Sequence, residues 1–286
     1  MRWASASAIA VTLIALGCAR ESAPTVAAQA AAPPAALVES ARTTETRRWT
    51  IDGVEREAIV SLPPRPDGTS TPLPLVFVFH GHGGRASQVR KSYDAEREWP
   101  EAIFVYPQGL ATPGALTDPQ GRKSGWQSGL GAMDDRDLKF FDAMVADFIA
   151  HENADRLRVY CTGHSNGGGF TYLLWATRAN VLAAVAPSAA AAGIRVNLSK
   201  PIPAMHVAGR RDTLVKFQWQ ERTMQRIRSL NGCVAVGTPV GESGMLFASS
   251  GGTPVLLWIT DSTHRFDRSC VGQMMDFFRQ CSRNPA

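Results

Sequence analysis

A serine in a short glycine pattern is the residue whose surroundings most clearly predict chemistry. Residues 163–167 read Gly-His-Ser-Asn-Gly, the G-x-S-x-G pattern of a nucleophile elbow. In such an elbow the serine lies on a strained strand-to-helix turn, and its hydroxyl projects into a cleft. The pattern alone is a weak signal in a chain with 25 glycines. A β-rich segment before it, Leu157–Thr162, and a helix-forming segment after it, Gly168–Arg178, supply the required context, so we predict that Ser165 is a nucleophile.

A serine hydroxyl needs a base to take its proton and a carboxylate to orient that base. In chains with a nucleophile elbow, the acid follows the serine and the histidine follows the acid. Of the six histidines, only His206 and His264 follow Ser165. His206 falls inside a predicted strand, whereas His264 lies on a loop after a strand, so we predict that His264 is the base. Asp212 follows a strand end and is the predicted acid, with Asp261, three residues before His264, as the rival.

Two N–H groups must also be available to bind the oxyanion that develops when a carbonyl is attacked. One is predicted to come from the backbone of Asn166, directly after the nucleophile. The other should come from the loop after an early strand, where residues 80–84 read His-Gly-His-Gly-Gly. We predict the N–H of His82 as this donor, with Gly81 as the alternative. Two histidines at i and i+2 without a carboxylate partner are a weak metal signal, and we predict neither a metal nor a cofactor.

Strands and helices alternate along the chain in an order that can position these residues. The predicted strands are Arg48–Asp52, Val54–Leu62, Leu75–Phe79, Ala102–Tyr106, Leu157–Thr162, Leu182–Ala186, Ala204–Ala208 and Val255–Ile259, and the predicted helices are Asp137–His151, Gly168–Arg178, Phe217–Leu230 and Val271–Gln280. This alternation predicts an α/β fold with a mainly parallel central sheet and helices on both faces. Each candidate residue follows a strand, at the edge where active groups collect in such sheets. Residues 107–135 lack periodicity and are predicted to form a functional loop.

The first 18 residues predict export. Met1–Trp3 is short and basic, Ala4–Leu16 is mostly apolar, and small residues precede Cys18. The Ala-Leu-Gly-Cys sequence resembles a bacterial lipobox, so we predict a signal peptide over residues 1–18 and lipidation of Cys18. Conventional cleavage after a later alanine is the alternative. A lipidated chain would be anchored without spanning the bilayer, in the bacterial periplasm or at the outer membrane.

Composition predicts a tether followed by one domain. Residues 19–46 are rich in Ala, Pro, Ser and Thr and predict a flexible tether, and residues 47–286 are long enough for one catalytic α/β domain. The net charge is +5, but the basic residues are scattered and not interleaved with aromatic residues. We therefore expect no nucleic-acid partner, and we expect a monomer.

Cysteine spacing leaves the disulfides open. Cys161 lies in a presumed central strand and is predicted to be a buried free thiol. Cys270 and Cys281 would be separated by a helix and too far apart to pair with each other. Cys233 could pair with either of them, and the sequence does not choose.

Together these motifs resemble those of secreted α/β-hydrolases of the polyhydroxybutyrate depolymerase and feruloyl or acetylxylan esterase type, the carbohydrate esterase family 1 group. The matching segments are 72–84, 105–109, 125–127, 134–147 and 158–187. The resemblance implies an α/β-hydrolase fold and a serine esterase that works through an acyl-enzyme. It also implies that the loop with Trp126 and Gln127 borders the substrate cleft, where an indole could offer a flat platform to an acyl group.

The resemblance leaves the ester open. Depolymerase-like hydrolysis of hydroxyalkanoate oligoesters is the first expectation, and hydrolysis of feruloyl or acetyl esters of plant polysaccharide is the alternative. A non-catalytic surface lipoprotein could use the same fold for binding alone. The intact serine, acid, base and glycines count against that reading.

Overall fold

The computed structural model of the protein describes residues 42–65 and 70–283. The signal peptide predicted over residues 1–18, with its lipidated Cys18, lies outside the described residues, as does most of the tether predicted over residues 19–46. The first strand begins at Thr43, four residues before the predicted domain start at Arg47. Within the described ranges, no helix has the length and apolar character needed to cross a bilayer.

Helices and strands alternate along the described chain. The strands are β1 (Thr43–Ile51), β2 (Val54–Leu62), β3 (Leu73–Phe79), β4 (Ile103–Pro107), β5 (Leu110–Ala111), β6 (Ser124–Gly125), β7 (Ala154–His164), β8 (Ala184–Ser188), β9 (Ala204–Gly209), β10 (Thr238–Val240), β11 (Gly244–Phe247) and β12 (Val255–Thr260). The α-helices are α1 (Ala86–Tyr93), α2 (Ala95–Glu98), α3 (Arg136–His151), α4 (Asn166–Arg178), α5 (Phe217–Leu230) and α6 (Val271–Arg279). A turn over Ala132–Asp135, with left-handed backbone at Met133, Asp134 and Asp135, precedes α3, and a 3₁₀ turn over Arg268–Cys270 precedes α6.

One large sheet organises the domain, in the strand order β1-β2-β4-β3-β7-β8-β9-β12-β11-β10. The six central strands, from β4 to β12, pair in parallel, whereas the strands at both edges pair antiparallel. β5 and β6 form a separate two-stranded ribbon. This mainly parallel sheet confirms the predicted α/β-hydrolase architecture.

Both faces of the sheet are covered by helices, which explains the continuous apolar strands. Phe77 and Phe79 on β3 face a core layer that includes side chains of α3, α4 and α5. Val76 and Val78 on the same strand face a second layer built by α1, α2 and α6. Because successive side chains of a strand point to opposite faces, a strand buried on both faces must be apolar at every position.

The two core layers also separate Cys233 from the two cysteines with which the sequence allowed it to form a disulfide. Cys161, Cys233, Cys270 and Cys281 are all free thiols. Cys233 packs against the α3–α5 layer, whereas Cys270 and Cys281 are buried in the α1–α2–α6 layer. The sheet therefore lies between Cys233 and its two candidate partners, and the pairing that the sequence allowed does not form.

Candidate active site

Ser165 occupies the turn between β7 and α4. Its backbone has φ 56° and ψ −117°, a strained conformation for a residue with a side chain. The glycines on either side leave no room for a side chain, since a Cβ on Gly163 would lie 2.6 Å from the backbone of Gly167. A Cβ on Gly167 would in turn collide with the carbonyl oxygen of Phe79 on the neighbouring strand β3. The close approach of β7, α4 and β3 therefore fixes the serine where the sequence predicted the elbow.

The structure brings the three predicted triad residues together. The Ser165 hydroxyl lies 2.8 Å from Nε2 of His264, and Nδ1 of His264 lies 2.8 Å from Oδ2 of Asp212. Asp212 follows β9 and its carboxylate is fully buried, whereas the His264 side chain, after β12, is 23% exposed. The rival acid, Asp261, has an 81% exposed side chain whose carboxylate lies 3.9 Å from Arg210. A histidine in this position can take the serine proton while the carboxylate holds its ring.

The Asp212 carboxylate accepts four hydrogen bonds. Oδ1 accepts from the backbone N–H groups of Leu214 and Val215, each at 3.0 Å. Oδ2 accepts from Nε2 of Gln220 at 3.1 Å and from Nδ1 of His264 at 2.8 Å. An ionised carboxylate can only accept, so four donors around a buried aspartate suit its charged form.

His164, the variable residue before the nucleophile, is tied to the backbone of the predicted base. Its Nε2 lies 2.9 Å from the carbonyl oxygen of His264, and its Nδ1 lies 3.4 Å from the hydroxyl of Ser188. Burial, together with the nearby His264, lowers the pKa of His164 to about 4, so its ring is neutral at neutral pH. The carbonyl can only accept, so the ring proton lies on Nε2. His164 therefore anchors the loop that presents His264.

The predicted oxyanion donors lie beside the nucleophile. Asn166 is the first residue of α4, a position whose N–H has no partner within the helix. The Gly81 backbone passes close by, since a Cβ built on it would lie 3.5 Å from Cβ of Ser165. Gly81 and His82 line the same cavity as Ser165 and Asn166. The roles of the Asn166 and His82 N–H groups stay predictions.

The His82 side chain fastens the oxyanion loop to the 107–135 loop. Its Nε2 lies 3.3 Å from Oδ2 of Asp118, and that same oxygen accepts the backbone N–H of Lys123 at 2.8 Å. The 107–135 loop thus lies against residues 81–83. Its exposed Lys123 and Leu116 line the cavity, as expected of a functional loop.

Trp126 and Gln127, whose loop was predicted to border the substrate cleft, have buried side chains that do not line the cavity, although Lys123 and Ser128 of the same loop do. Trp126 is 1% exposed and its Nε1 donates to the carbonyl of His80 at 2.9 Å. The Asn166 side chain binds the N–H of Trp126 at 2.8 Å and its carbonyl at 3.1 Å. The side-chain oxygen of Gln127 accepts the backbone N–H of Asp137 at 3.0 Å. The backbone N–H of Gln127 donates to the Asp137 carboxylate at 2.8 Å. The two residues join the loop to the elbow and to the start of α3.

His80 is a structural residue. Its Nε2 accepts the N–H of Gly109 at 3.0 Å, and its Nδ1 donates to the carbonyl of Gly81 at 2.8 Å. Burial lowers its pKa, which favours this neutral form. Among residues 42–65 and 70–283, no group of three or more His, Cys, Asp or Glu residues could hold a metal ion.

A cavity of about 910 Å³ opens above Ser165. Its apolar wall includes Leu116, Leu214, Val215 and Trp219. Trp219, near the start of α5, is 38% exposed and is the aromatic residue on this wall. The aromatic platform that the sequence assigned to Trp126 is thus available from a different residue.

Comparison with known proteins gives relatives of one kind. No family model matches the chain. The chain is 28% identical over 192 residues to a probable feruloyl esterase C of Aspergillus clavatus, covering 66% of each chain. It is 27% identical over 171 residues to a bifunctional acetylxylan esterase/xylanase of Neocallimastix patriciarum, covering 59% of this chain and 23% of that one. The protein thus spans about two thirds of the first relative and about a quarter of the second.

Solved structures share the fold at low sequence identity. An S-formylglutathione hydrolase from Staphylococcus aureus superposes with a TM-score of 0.58 at 12% identity, over 83% of this chain and 96% of that one. A carbohydrate esterase family 1 ferulic acid esterase from Anaeromyces mucronatus, in complex with ferulic acid, gives 0.55 at 15% identity, over 84% and 90%.

The sheet, the helices on both faces and the serine at the elbow define an α/β-hydrolase fold. The curated relatives confirm the predicted resemblance to the feruloyl and acetylxylan esterase group.

Sequence reasoning missed several residues around the site. His164 was treated only as part of the elbow pattern, and Gln220 was treated only as part of a helix. Asn166 was predicted only for its backbone N–H, because no sequence pattern indicates the contact of its side chain with Trp126. Trp219 had a detectable signal: it is a tryptophan in the first turn of the helix after the strand that leads to Asp212.

Proposed function

We propose that the protein is a serine esterase whose nucleophile is Ser165. His264 takes the serine proton through Nε2 as Oγ attacks the ester carbonyl, and Asp212 stabilises the protonated imidazole. The oxyanion rests on the backbone N–H groups of Asn166 and His82. The alcohol leaves with the proton from His264. Water then attacks the acyl-enzyme, with His264 again as base, and releases the acid and free Ser165.

The continuous hydrogen-bond chain carries this proposal. It runs from the Ser165 hydroxyl through the His264 ring to Asp212, with 2.8 Å at each step. It begins at the cavity and ends at a carboxylate that is shielded from water. A serine held only for structure would have no need of a buried acid behind its histidine partner.

We further propose hydroxycinnamoyl or acetyl esters of plant polysaccharide as substrates. The relatives' names support an ester of this kind. The cavity adds physical support, because Trp219 and Leu116 offer exposed apolar surface to an aromatic acyl group. An oligoester of a hydroxyalkanoic acid is the second candidate, since the same apolar surface also suits an aliphatic chain.

We propose that the mature chain is exported and monomeric, with a lipid anchor on Cys18 at the outer membrane. The basic, apolar and small-residue segments of the first 18 residues support this placement. Mass spectrometry of the amino-terminal peptide should find a diacylglyceryl group on Cys18. A Cys18→Ser chain should be released into the soluble fraction, and a soluble wild-type chain would contradict the anchor.

A turnover panel tests the activity and the substrate together. Methyl ferulate, acetylxylan, p-nitrophenyl esters and hydroxybutyrate oligomers should be compared with wild-type protein, Ser165→Ala and the exposed control Ser199→Ala. We expect Ser165→Ala to lose activity on every substrate and Ser199→Ala to retain it. Retained hydrolysis by purified Ser165→Ala, free of contaminating esterase, would overturn the proposal. Preference for hydroxybutyrate oligomers over methyl ferulate would favour the second substrate.

A further inference from the structure

A second hydrogen-bonded chain approaches Asp212 from inside the protein. The Tyr172 hydroxyl on α4 lies 2.6 Å from Nδ1 of His206 on β9. His206 Nε2 lies 3.2 Å from Oε1 of Gln220 on α5, whose Nε2 donates to Oδ2 of Asp212 at 3.1 Å. Three successive side chains thus reach from the core to the carboxylate that orients His264.

The amide of Gln220 can take only one orientation here. Its Nε2 faces two oxygens that can only accept, the Asp212 carboxylate at 3.1 Å and the Val215 carbonyl at 2.7 Å. Exchanging the amide oxygen and nitrogen would place an acceptor against both of them. The amide oxygen must therefore face His206.

This orientation fixes the proton on His206. The Gln220 oxygen can only accept, so His206 must carry its proton on Nε2. Its Nδ1 is then an acceptor, and the Tyr172 hydroxyl donates to it. Every donor in the chain points toward an acceptor in the direction of Gln220 or Asp212.

The hydrogen-bonded side chains of Tyr172, His206 and Gln220 are isolated from solvent. His206 and Gln220 have no exposed surface, and neither has Tyr172. Burial lowers the pKa of His206 to about 4, and burial also raises the pKa of Tyr172. Both groups are therefore neutral where esterases are assayed, which leaves Asp212 as the charged group in the chain.

We propose that Tyr172, His206 and Gln220 are positioning residues for the reaction, acting through Asp212. The chain holds a donor against Oδ2 of Asp212, so that oxygen stays in line with Nδ1 of His264. The inference rests on the proposed esterase function. It adds to that function a positioning role for His206, a histidine inside the sheet and more than thirty residues from Ser165 in sequence.

The Gln220→Glu variant distinguishes a positioning role of Gln220 from a purely structural one. A neutral carboxyl keeps the pattern of the amide, since its hydroxyl donates toward Asp212 and its carbonyl accepts from His206. Once ionised, it presents acceptors to the Asp212 carboxylate and the Val215 carbonyl. The titratable groups in contact with this position are Asp212 and His206, and Tyr172 and His264 lie one hydrogen bond further away.

The ratio of variant to wild-type kcat should be measured from pH 5 to pH 9, with the exposed substitution Gln225→Glu on the same helix as control. We expect the ratio for Gln220→Glu to fall by about tenfold or more as pH rises, at unchanged KM. The control ratio should stay near one at every pH. A ratio for folded Gln220→Glu that does not change with pH, whether near one or uniformly low, would overturn the proposal.

A measurement on the wild-type protein keeps the proposal testable if Gln220→Glu does not fold. Nitrogen-15 NMR of the histidine rings should find His206 neutral at pH 6 with its proton on Nε2. A proton on Nδ1 would overturn the proposed hydrogen-bond chain from Tyr172 to Asp212. This result does not depend on turnover, so failure of the chain and failure of the proposed esterase function can be told apart.

Discussion

Replacing Asp212 by asparagine should prevent His264 from accepting the serine proton while leaving the shape of the residue 212 side chain unchanged. The wild-type Oδ1 accepts two backbone N–H groups, from Leu214 and Val215, and Oδ2 faces His264 and Gln220. The amide oxygen of Asp212→Asn should take the place of Oδ1, because two backbone donors lie there. Its NH₂ group then donates to Nδ1 of His264. The ring must carry its proton on Nε2, where it can no longer accept the proton of Ser165.

The size of the effect follows from what it would take to restore the active form. Turning the amide so that its oxygen faces His264 places the NH₂ group against the Leu214 and Val215 N–H groups. The turned amide leaves four donors without an acceptor, the two backbone N–H groups and both of its own, whereas the unturned amide leaves two, one of its own and the Gln220 N–H that faces it. Each such donor costs about 1–3 kcal/mol, so the active form, with two more of them, lies about 2–6 kcal/mol higher. At 1.36 kcal/mol per factor of ten, kcat should fall by about 10²–10⁴-fold, and the upper end matches the loss known for this change in serine hydrolase triads.

Steady-state hydrolysis of p-nitrophenyl acetate at pH 8 measures this loss, with thermal unfolding to establish that the variant is folded. Asp261→Asn is the matched control, since it changes the rival acid on the loop that carries His264. It should retain wild-type kcat. A folded Asp212→Asn enzyme within tenfold of wild type, or a large loss in Asp261→Asn, would show that Asp212 does not orient His264 in this way.

Three further outcomes follow from the same contacts. His164 and His206 have pKa values of about 4 against 6.5 for an ordinary histidine, so the unfolded chain binds more protons between these values. Stability should therefore fall as pH drops from about 6.5 to about 4, by up to about 3 kcal/mol per histidine, as urea unfolding can measure. Asn166→Ala leaves the buried N–H and carbonyl of Trp126 without partners, and should lower the free energy of unfolding by about 2–5 kcal/mol. Trp219→Ala should raise KM for methyl ferulate by about 3- to 10-fold and leave kcat for p-nitrophenyl acetate unchanged.

Each outcome has a result that would contradict it. For the histidines, it is a His164→Gln chain whose stability depends on pH as strongly as that of wild type. For Asn166→Ala, it is a loss no larger than that of the exposed control Asn197→Ala. For Trp219→Ala, it is an unchanged KM for methyl ferulate, which would place the acyl group elsewhere in the cavity.

The central sheet could be predicted because its signal is local. Leu75–Phe79 is apolar at every position, and its side chains do enter two different core layers. The helices α1 and α2 and the edge strands β10 and β11 were not predicted. α1 is polar on average, β10 has three residues, and β11 has four. Elements this short or this polar give little periodicity to read.

The site divides in the same way. Ser165, Asp212 and His264 could be found because chain order and strand ends restrict the choice, and the structure brings them within hydrogen-bond distance. The direction in which a side chain points inside an irregular loop has no such signature. Trp126 was therefore expected at the cleft, although its side chain is buried against Phe79 and Phe170.

Contacts between segments that are distant in sequence could not be predicted. His206 meets Tyr172, 34 residues earlier, and Gln220, 14 residues later, only after the sheet and helices have packed. No motif links these positions, so the chain behind Asp212 becomes visible only in three dimensions.

Covalent labelling tests directly whether the Ser165 hydroxyl is an activated nucleophile, as proposed. Folded wild-type protein should be treated with a fluorophosphonate, digested, and analysed by mass spectrometry. We expect a single phosphonyl group on Ser165, no labelling of Ser165→Ala, and greatly slowed labelling of Asp212→Asn. A folded wild-type protein that remains unlabelled, or that is labelled on another residue, would contradict the proposal and favour a binding protein on a hydrolase fold.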